Sequence, residues 1–317
     1  MTDLKNKKIL VTGGSGFLGS HVVEKLVERG VRKEDIIIPR SKDYDLRNYE
    51  DCKRALEGAN VVIHLAANVG GIGYNQENPG KLFYDNIIMG AKMMDAAYRA
   101  GVEKFVMLGT VCAYPKFAPI PFKESDLWNG YPEETNAPYG LAKKAMLIGS
   151  QAYRAQYGFD IVFLLPVNLY GPGDTFDPNR SHVISALIKK FYDAKIGDKP
   201  YVEAWGTGRA TREFLYVEDG AEGIVLAAEK YEKPDPVNLG SGMEISIKEL
   251  SELIAKLMDY KGEIRWDYSK PDGQPMRMLD TSRAEKEFGF KAKTNFEEGL
   301  KKTIDWYIAK NSQQSGL

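Results

Sequence analysis

Cysteine and histidine are scarce in this chain: its 317 residues include two cysteines, Cys52 and Cys112, and three histidines, His21, His64 and His182. Two cysteines close at most one bridge, and Cys52 sits in a helical, charged stretch, so no disulfide framework underlies the fold. Long apolar runs are lacking too. No segment approaches the roughly 20 apolar residues of a membrane span. The stretch MTDLKNKKILVTGG passes from polar residues into a short apolar strand with no charged leader or small-residue cleavage site, so the expected compartment is the reducing cytoplasm. Nor does charge of one sign dominate, since 43 Lys and Arg face 44 Asp and Glu for a formal net charge of -1. That balance gives no reason to expect nucleic acid or a membrane surface as partner, and an anionic substrate must be held by local charge.

What is present is alternation. The runs KKILVTG, DIIIPR, NVVIHLAA, KFVMLGT and DIVFLLPVNLYG are continuously apolar, as strands buried on both faces of a parallel sheet must be. Between them, residues 16–30, 48–58, 79–101 and 136–158 read as helices, several ending at glycine. The expected fold class is therefore α/β, a doubly wound parallel sheet. After Gly171 the chain turns polar and turn-rich. The predicted division is a dinucleotide-binding domain over 1–172, rejoined by 213–240, and a smaller C-terminal α/β lobe from 173–212 and 241–317. The cleft between them is the default ligand site.

The first strand runs into VTGGSGFLGS, with Gly13, Gly16 and Gly19 spaced as in a dinucleotide-binding turn and Ser15, Phe17 and Leu18 among them. Glycines there allow a tight turn and close approach to a pyrophosphate, which sits on the positive helix N-terminus. At the end of the second strand stand Arg40, Ser41 and Lys42, whose donors suit a ribose 2′-phosphate and favour NADP over NAD. Asp45 follows, within reach of an adenine amino group.

Further along, APYGLAKKA carries Tyr139 and Lys143 on one face of a predicted helix. A phenol beside an ammonium has its phenolate favoured, which predicts a lowered pKa and a usable acid or base. Thr110 ends the fourth strand in LGTVCAYPK. Cys112, two residues on, lies where ligands bind in open α/β sheets, and a thiol with a reference pKa of about 8.5 can exchange protons near neutrality.

Together, the glycine turn, Thr110, Tyr139 and Lys143 resemble the extended short-chain dehydrogenase/reductases, a family of nucleotide-sugar epimerases, dehydratases and reductases. The resemblance implies a Rossmann-type fold, Tyr139 as acid/base, Lys143 on the nicotinamide ribose, and Thr110, four residues before Tyr114, orienting the substrate oxygen. The segments AANVGGIGYNQENP, CAYPK, NAPYGLAK, PVNLYGP, SHVISALIKKF, WGTGRATREFLYVED and KPDGQPMRMLD are most similar to one branch of that family. Its members use NADPH to invert C3 and C5 of GDP-4-keto-6-deoxy-D-mannose and reduce the ketone, giving GDP-L-fucose. The resemblance implies Cys112 and His182 as the proton-transfer pair. It implies Arg212 and Lys190 on the substrate phosphates, and Trp205, Asp272, Gly71 and Asn168 near nucleotide or sugar. Leu65, Ala66, Ala67, Leu108, Pro166, Asn168, Leu169 and His182 are assigned to the cofactor wall, and no metal is assigned.

Four positions depart from the pattern that the resemblance implies: Gly14-Ser15 for a His-Arg pair, Thr110 for serine, and Lys190 for arginine. GDP-mannose 3,5-epimerases carry the cysteine with a lysine where His182 stands. A reductase of a related GDP-4-keto-6-deoxy-heptose, and a dinucleotide-sensing regulator on the same fold, are the other readings. Relatives pair through the helices at 79–101 and 136–158, so a homodimer is expected.

Overall fold

The computed structural model describes residues 1–270 and 272–314. The chain begins with β1 (Ile9–Thr12), α1 (Phe17–Glu28), β2 (Ile36–Ile37), α2 (Tyr49–Ala55) and β3 (Val61–His64). It continues with α3 (Ile72–Glu77), α4 (Pro79–Arg99), β4 (Lys104–Leu108), α5 (Ala137–Tyr157) and β5 (Asp160–Pro166). After β6 (Asn168–Tyr170) come α6 (Val183–Ile196), β7 (Tyr201–Trp205), β8 (Thr211–Arg212), β9 (Phe214–Tyr216), α7 (Val217–Lys230) and β10 (Val237–Leu239). The last elements are β11 (Ile245–Ser246), α8 (Ile247–Leu257), β12 (Glu263–Asp267), α9 (Ser282–Phe288) and α10 (Phe296–Gln314).

Six parallel strands form the main sheet in the order β10-β5-β4-β3-β1-β2. Every residue of β1, β3 and β4 is buried, which is why those runs are apolar without alternation. One buried charge interrupts this: Lys104, at the start of β4, donates to the Tyr231 carbonyl at 2.7 Å and pairs with Asp160 across the ladder at 3.1 Å. The ion pair settles register at the sheet's amino-terminal edge, away from the ligand edge.

Prolines shorten two expected strands. DIIIPR pairs only at Ile36 and Ile37, since the following Pro39 has no N–H for the ladder. DIVFLLPVNLYG breaks into β5 and β6 just after Pro166; the Val167 N–H goes to the Leu239 carbonyl at 2.9 Å, and β6 leaves the sheet to pair with β9. A loop is expected across VGGIGYNQENP, yet residues from Ile72 form α3, and Pro79 at the first position of α4 starts a second helix at once.

A second apolar core lies under the C-terminal elements, joining Ile188, Phe191, Val202, Leu250, Ile254 and Tyr307. Strand β7 alternates exposed and buried residues and packs one face on it. A capping box at Ser246 and Glu249 starts α8 over the same core. Among the described residues no helix is long and apolar enough to cross a membrane.

Candidate active site

A cleft of about 1280 Å³ runs along the carboxyl ends of the main strands and between the two cores. That is room for more than one drug-sized ligand. Its floor begins at Gly13, which has φ +71°. A Cβ on Gly19 would overlap the Gly13 carbonyl oxygen, so only glycine lets α1 start this close to β1. No side chain caps α1 at Gly16, and Gly16, Phe17 and Leu18 line the cleft with their first-turn N–H groups at the positive helix end. This cradle fits a dinucleotide diphosphate.

Ser15, Leu65, Ala66, Ala67 and Leu108 continue this wall, followed by Pro166, Asn168 and Leu169 at the ends of β5 and β6. Ser41 and Asp45 lie at its outer end. Arg40 differs: it is exposed and outside the wall, because Pro39 and Ser41 on either side of it are the residues that face the cleft. The Asp45 carboxylate is held at 2.8 Å by Arg47, whose hydrogen bonds pull it down to about 2. His64, beneath the floor, shares a hydrogen bond of 2.8 Å with Thr12, and burial pushes its imidazole down to about 3.

Thr110, two residues beyond β4, caps a short 3₁₀ turn, its hydroxyl accepting from the Cys112 N–H at 3.1 Å. Helix α5 presses directly on this turn, since a Cβ at Gly140 would overlap the Cys112 carbonyl oxygen. That approach brings the Tyr139 phenol into hydrogen-bond contact with Thr110 and buries Lys143, which donates to the Leu108 carbonyl at 2.9 Å. The start of α5 is tied down by a chain missed in the sequence. Asn75 on α3 donates to Asn136 at 3.0 Å, and Asn136 donates to Glu133 at 2.6 Å.

The expected lowering of the Tyr139 pKa is not found. Burial, followed by the neighbouring Cys112 charge, pushes the phenol above its ordinary value, and only the Thr110 hydrogen bond opposes them. Lys143 spends its ammonium on a backbone carbonyl, and burial lowers it to about 8. Such a phenol is a proton donor at neutral pH rather than a standing base. Tyr114 is no part of this wall: it is buried, donating to Asn238 at 2.6 Å.

On the turn that Thr110 caps, Cys112 is half-buried and lines the cleft, and its sulfur accepts from Arg277 Nη1 at 3.7 Å. His182 caps the start of α6 and also faces the cleft. Burial lowers its imidazole, while the buried Asp174, itself held by Ser185, pulls it up. Asp174, Arg277 and Gln274 are cleft residues that sequence reasoning passed over. Arg277 and Gln274 stand inside the quoted KPDGQPMRMLD segment, the only available signal.

Gly71, Lys190, Trp205, Arg212 and Asp272 all line the cleft. The Lys190 ammonium lies 5.4 Å from the Trp205 ring centre and donates to the Glu203 carbonyl at 2.8 Å. Arg212 is buried, donating to the carbonyls of Thr211 at 2.7 Å and Asp272 at 3.0 Å, and burial lowers it to about 9. Asp272 accepts from the Thr207 N–H at 2.7 Å and hydroxyl at 2.8 Å, so its carboxylate also closes the neighbouring turn. The cleft thus joins a dinucleotide cradle, a phenol donor, a thiol and an imidazole, and buried cations suited to phosphates.

The chain is similar to known proteins over most of its length. The profile of the NAD dependent epimerase/dehydratase family matches residues 9–240. Probable GDP-L-fucose synthase 1 of Oryza sativa subsp. japonica is 40% identical over 307 residues, covering 96% of this chain and 93% of its own length. A GDP-6-OMe-4-keto-L-xylo-heptose reductase from C. jejuni superposes with a TM-score of 0.90 at 27% identity, covering 98% of this chain and 99% of that one. A GDP-L-fucose synthetase from Naegleria fowleri bound to NADP superposes with a TM-score of 0.85 at 28% identity, covering 98% and 97%. With its glycine cradle, its Tyr139 and Lys143 on α5 and its match over most of its length, the chain belongs to the NAD dependent epimerase/dehydratase family.

Proposed function

We propose that this protein uses NADPH to convert GDP-4-keto-6-deoxy-D-mannose to GDP-L-fucose, inverting C3 and C5 and then reducing the C4 ketone. The observation that carries the reading is one cleft holding both sets of groups, Thr110, Tyr139 and Lys143 together with Cys112 and His182. The curated relatives' activity supports it, as does the NADP held by a related structure. His182, where GDP-mannose 3,5-epimerases carry lysine, favours inversion coupled to reduction.

The C4 ketone acidifies the C–H bonds at C3 and C5. Cys112 takes the proton, the electron pair passes onto the C4 oxygen as an enolate, and His182 returns a proton to the opposite face of the carbon. Asp174 supports the charge on His182 in its protonated form. Bound NADPH supplies a hydride to C4. Tyr139 gives its phenolic proton to the C4 oxygen while Thr110 holds that oxygen in line, and the raised Tyr139 pKa keeps the proton available until charge develops. Arg212 and Lys190 hold the diphosphate, with Trp205 against the nucleotide; Ser41 serves the 2′-phosphate with Arg40 at the mouth. The main sheet carries the cofactor, and the part over the second core carries the nucleotide sugar. The function is tested by following NADPH absorbance with GDP-4-keto-6-deoxy-mannose supplied: substrate-dependent oxidation yielding GDP-L-fucose is expected. Oxidation only with a heptose analogue would favour the heptose reaction, and none at all a regulator.

Lys143 gives a pH signature. Its ammonium, which would hold the nicotinamide ribose, is present below about pH 8 and lost above it. A charged hydrogen bond is worth roughly 1.5–3 kcal/mol, so NADPH affinity is expected to fall about tenfold or more between pH 7 and pH 9.5. Titration of NADPH fluorescence measures this; equal affinity at both pH values would refute the role, and Lys143→Met should bind weakly and without that pH step.

The chain is further read as a cytoplasmic homodimer. Phe83 and Tyr84 on α4 and Ile148 and Tyr157 on α5 are 43%, 57%, 51% and 44% exposed, an apolar face on two packed helices. Light scattering should give twice the mass of one chain, and Ile148→Asp the mass of one. A wild-type mass of one chain would rule the dimer out.

A further inference from the structure

Among the described residues, Arg212 and Arg277 line the cleft buried and without a carboxylate within ion-pair distance. Burying a cation is costly unless it is offset by charge or by good acceptors. Arg212 uses backbone carbonyls throughout. Arg277, 5% exposed, is less well served. Its Nε and Nη2 donate to Gln274 Oε1 at 3.3 and 3.1 Å, and its Nη1 meets the Cys112 sulfur at 3.7 Å. Gln274 in turn donates to the carbonyls of Pro115 and Lys116 at 3.4 and 3.1 Å, the residues just beyond Cys112. The guanidinium is therefore clamped to the segment that carries the thiol. Around the sulfur, Tyr139 on α5 and Arg212 on β8 are the other titratable groups in electrostatic contact; Glu133 acts on Arg212, and His182 on α6 feels Arg277.

We infer that Arg277 is a positioning residue for Cys112: its clamped guanidinium orients the sulfur toward the cleft and offsets the negative charge of the proton-accepting form. The inference rests on the epimerising role proposed for Cys112. A sulfur must be anionic to take a proton from carbon, and Arg277 is the group that donates an N–H to it. Charge-assisted donors stabilise the ionised acceptor about twice as well as neutral ones. Lysine would keep the charge but lose the fork that grips Gln274 and Cys112 together.

The test is the alkylation rate of Cys112 by iodoacetamide in the whole protein, read by mass spectrometry. Cys52 is the internal control, being fully buried with its thiol pushed up to about 12. Arg277→Met is expected to slow alkylation at pH 7 about tenfold and to move the rate profile to higher pH; Arg277→Lys should fall between. Proton exchange at sugar C3 and C5 should drop in parallel. Wild-type alkylation with an unchanged pH profile in Arg277→Met would overturn the inference. If that variant melts early or no longer binds GDP, Gln274→Ala decides, since it frees the guanidinium without removing its charge. A several-fold slower alkylation is expected there, and a wild-type rate would overturn the inference. Alkylation is read without sugar, so a wild-type protein lacking C3 and C5 exchange would remove the epimerase reading while the Arg277 effect is still measured.

Discussion

Replacing Tyr139 with phenylalanine is expected to slow hydride transfer to the C4 ketone by about 10²–10⁴-fold, the range for losing a positioned general acid. The ring and its packing remain, and the lost hydrogen bond to Thr110 costs about 1 kcal/mol of stability, too little to unfold the chain. Without the phenolic proton the developing alkoxide keeps only the Thr110 hydroxyl, far too weak an acid to transfer a proton, while the Lys143 ammonium is engaged with the Leu108 carbonyl. Cys112 and His182 are untouched, so deuterium from solvent should still enter C3 and C5. Single-turnover loss of NADPH absorbance, paired with NMR of the recovered sugar, separates the two. Retained reduction at the wild-type rate would remove Tyr139 from the chemistry.

Cys112→Ser is expected to do the reverse. A serine hydroxyl is a far weaker acid than a thiol, so its anion is not populated near neutrality, and exchange at C3 and C5 should fall by about 10²–10⁴-fold. The Thr110, Tyr139 and Lys143 wall stays intact, so ketone reduction should continue on the sugar that has not been inverted. The N–H of residue 112 still caps onto Thr110, because that bond is from the backbone. Unchanged exchange in this variant would assign the proton transfers elsewhere.

Both predictions depend on residues whose legibility in the sequence differed. The cradle at Gly13, Gly16 and Gly19 could be read directly because a sharp turn and a close helix start need glycine within one short segment. Tyr139 and Lys143 could be read for a similar reason, since a spacing of four on a helix puts two side chains on one face. The expected strands were recovered where continuous apolar runs were buried on both faces, and were cut short where Pro39 and Pro166 denied the ladder a donor. The helix α3 was not anticipated, because Gly70, Gly71 and Gly73 read as loop residues.

The sequence by itself determined the alternating parallel sheet, the dinucleotide turn and the tyrosine–lysine pair, all of which rest on local spacing. Only the tertiary structure decided how those groups are tuned. The Tyr139 phenol is pushed up, not down, because its burial is the sum of surfaces brought in by separate strands and helices. The contact of Arg277 with Cys112 joins residues 165 positions apart, and Asp174 bears on His182 across the turn that starts α6. Desolvation and charge act through space, and no pattern along the chain records which distant residue will stand beside which.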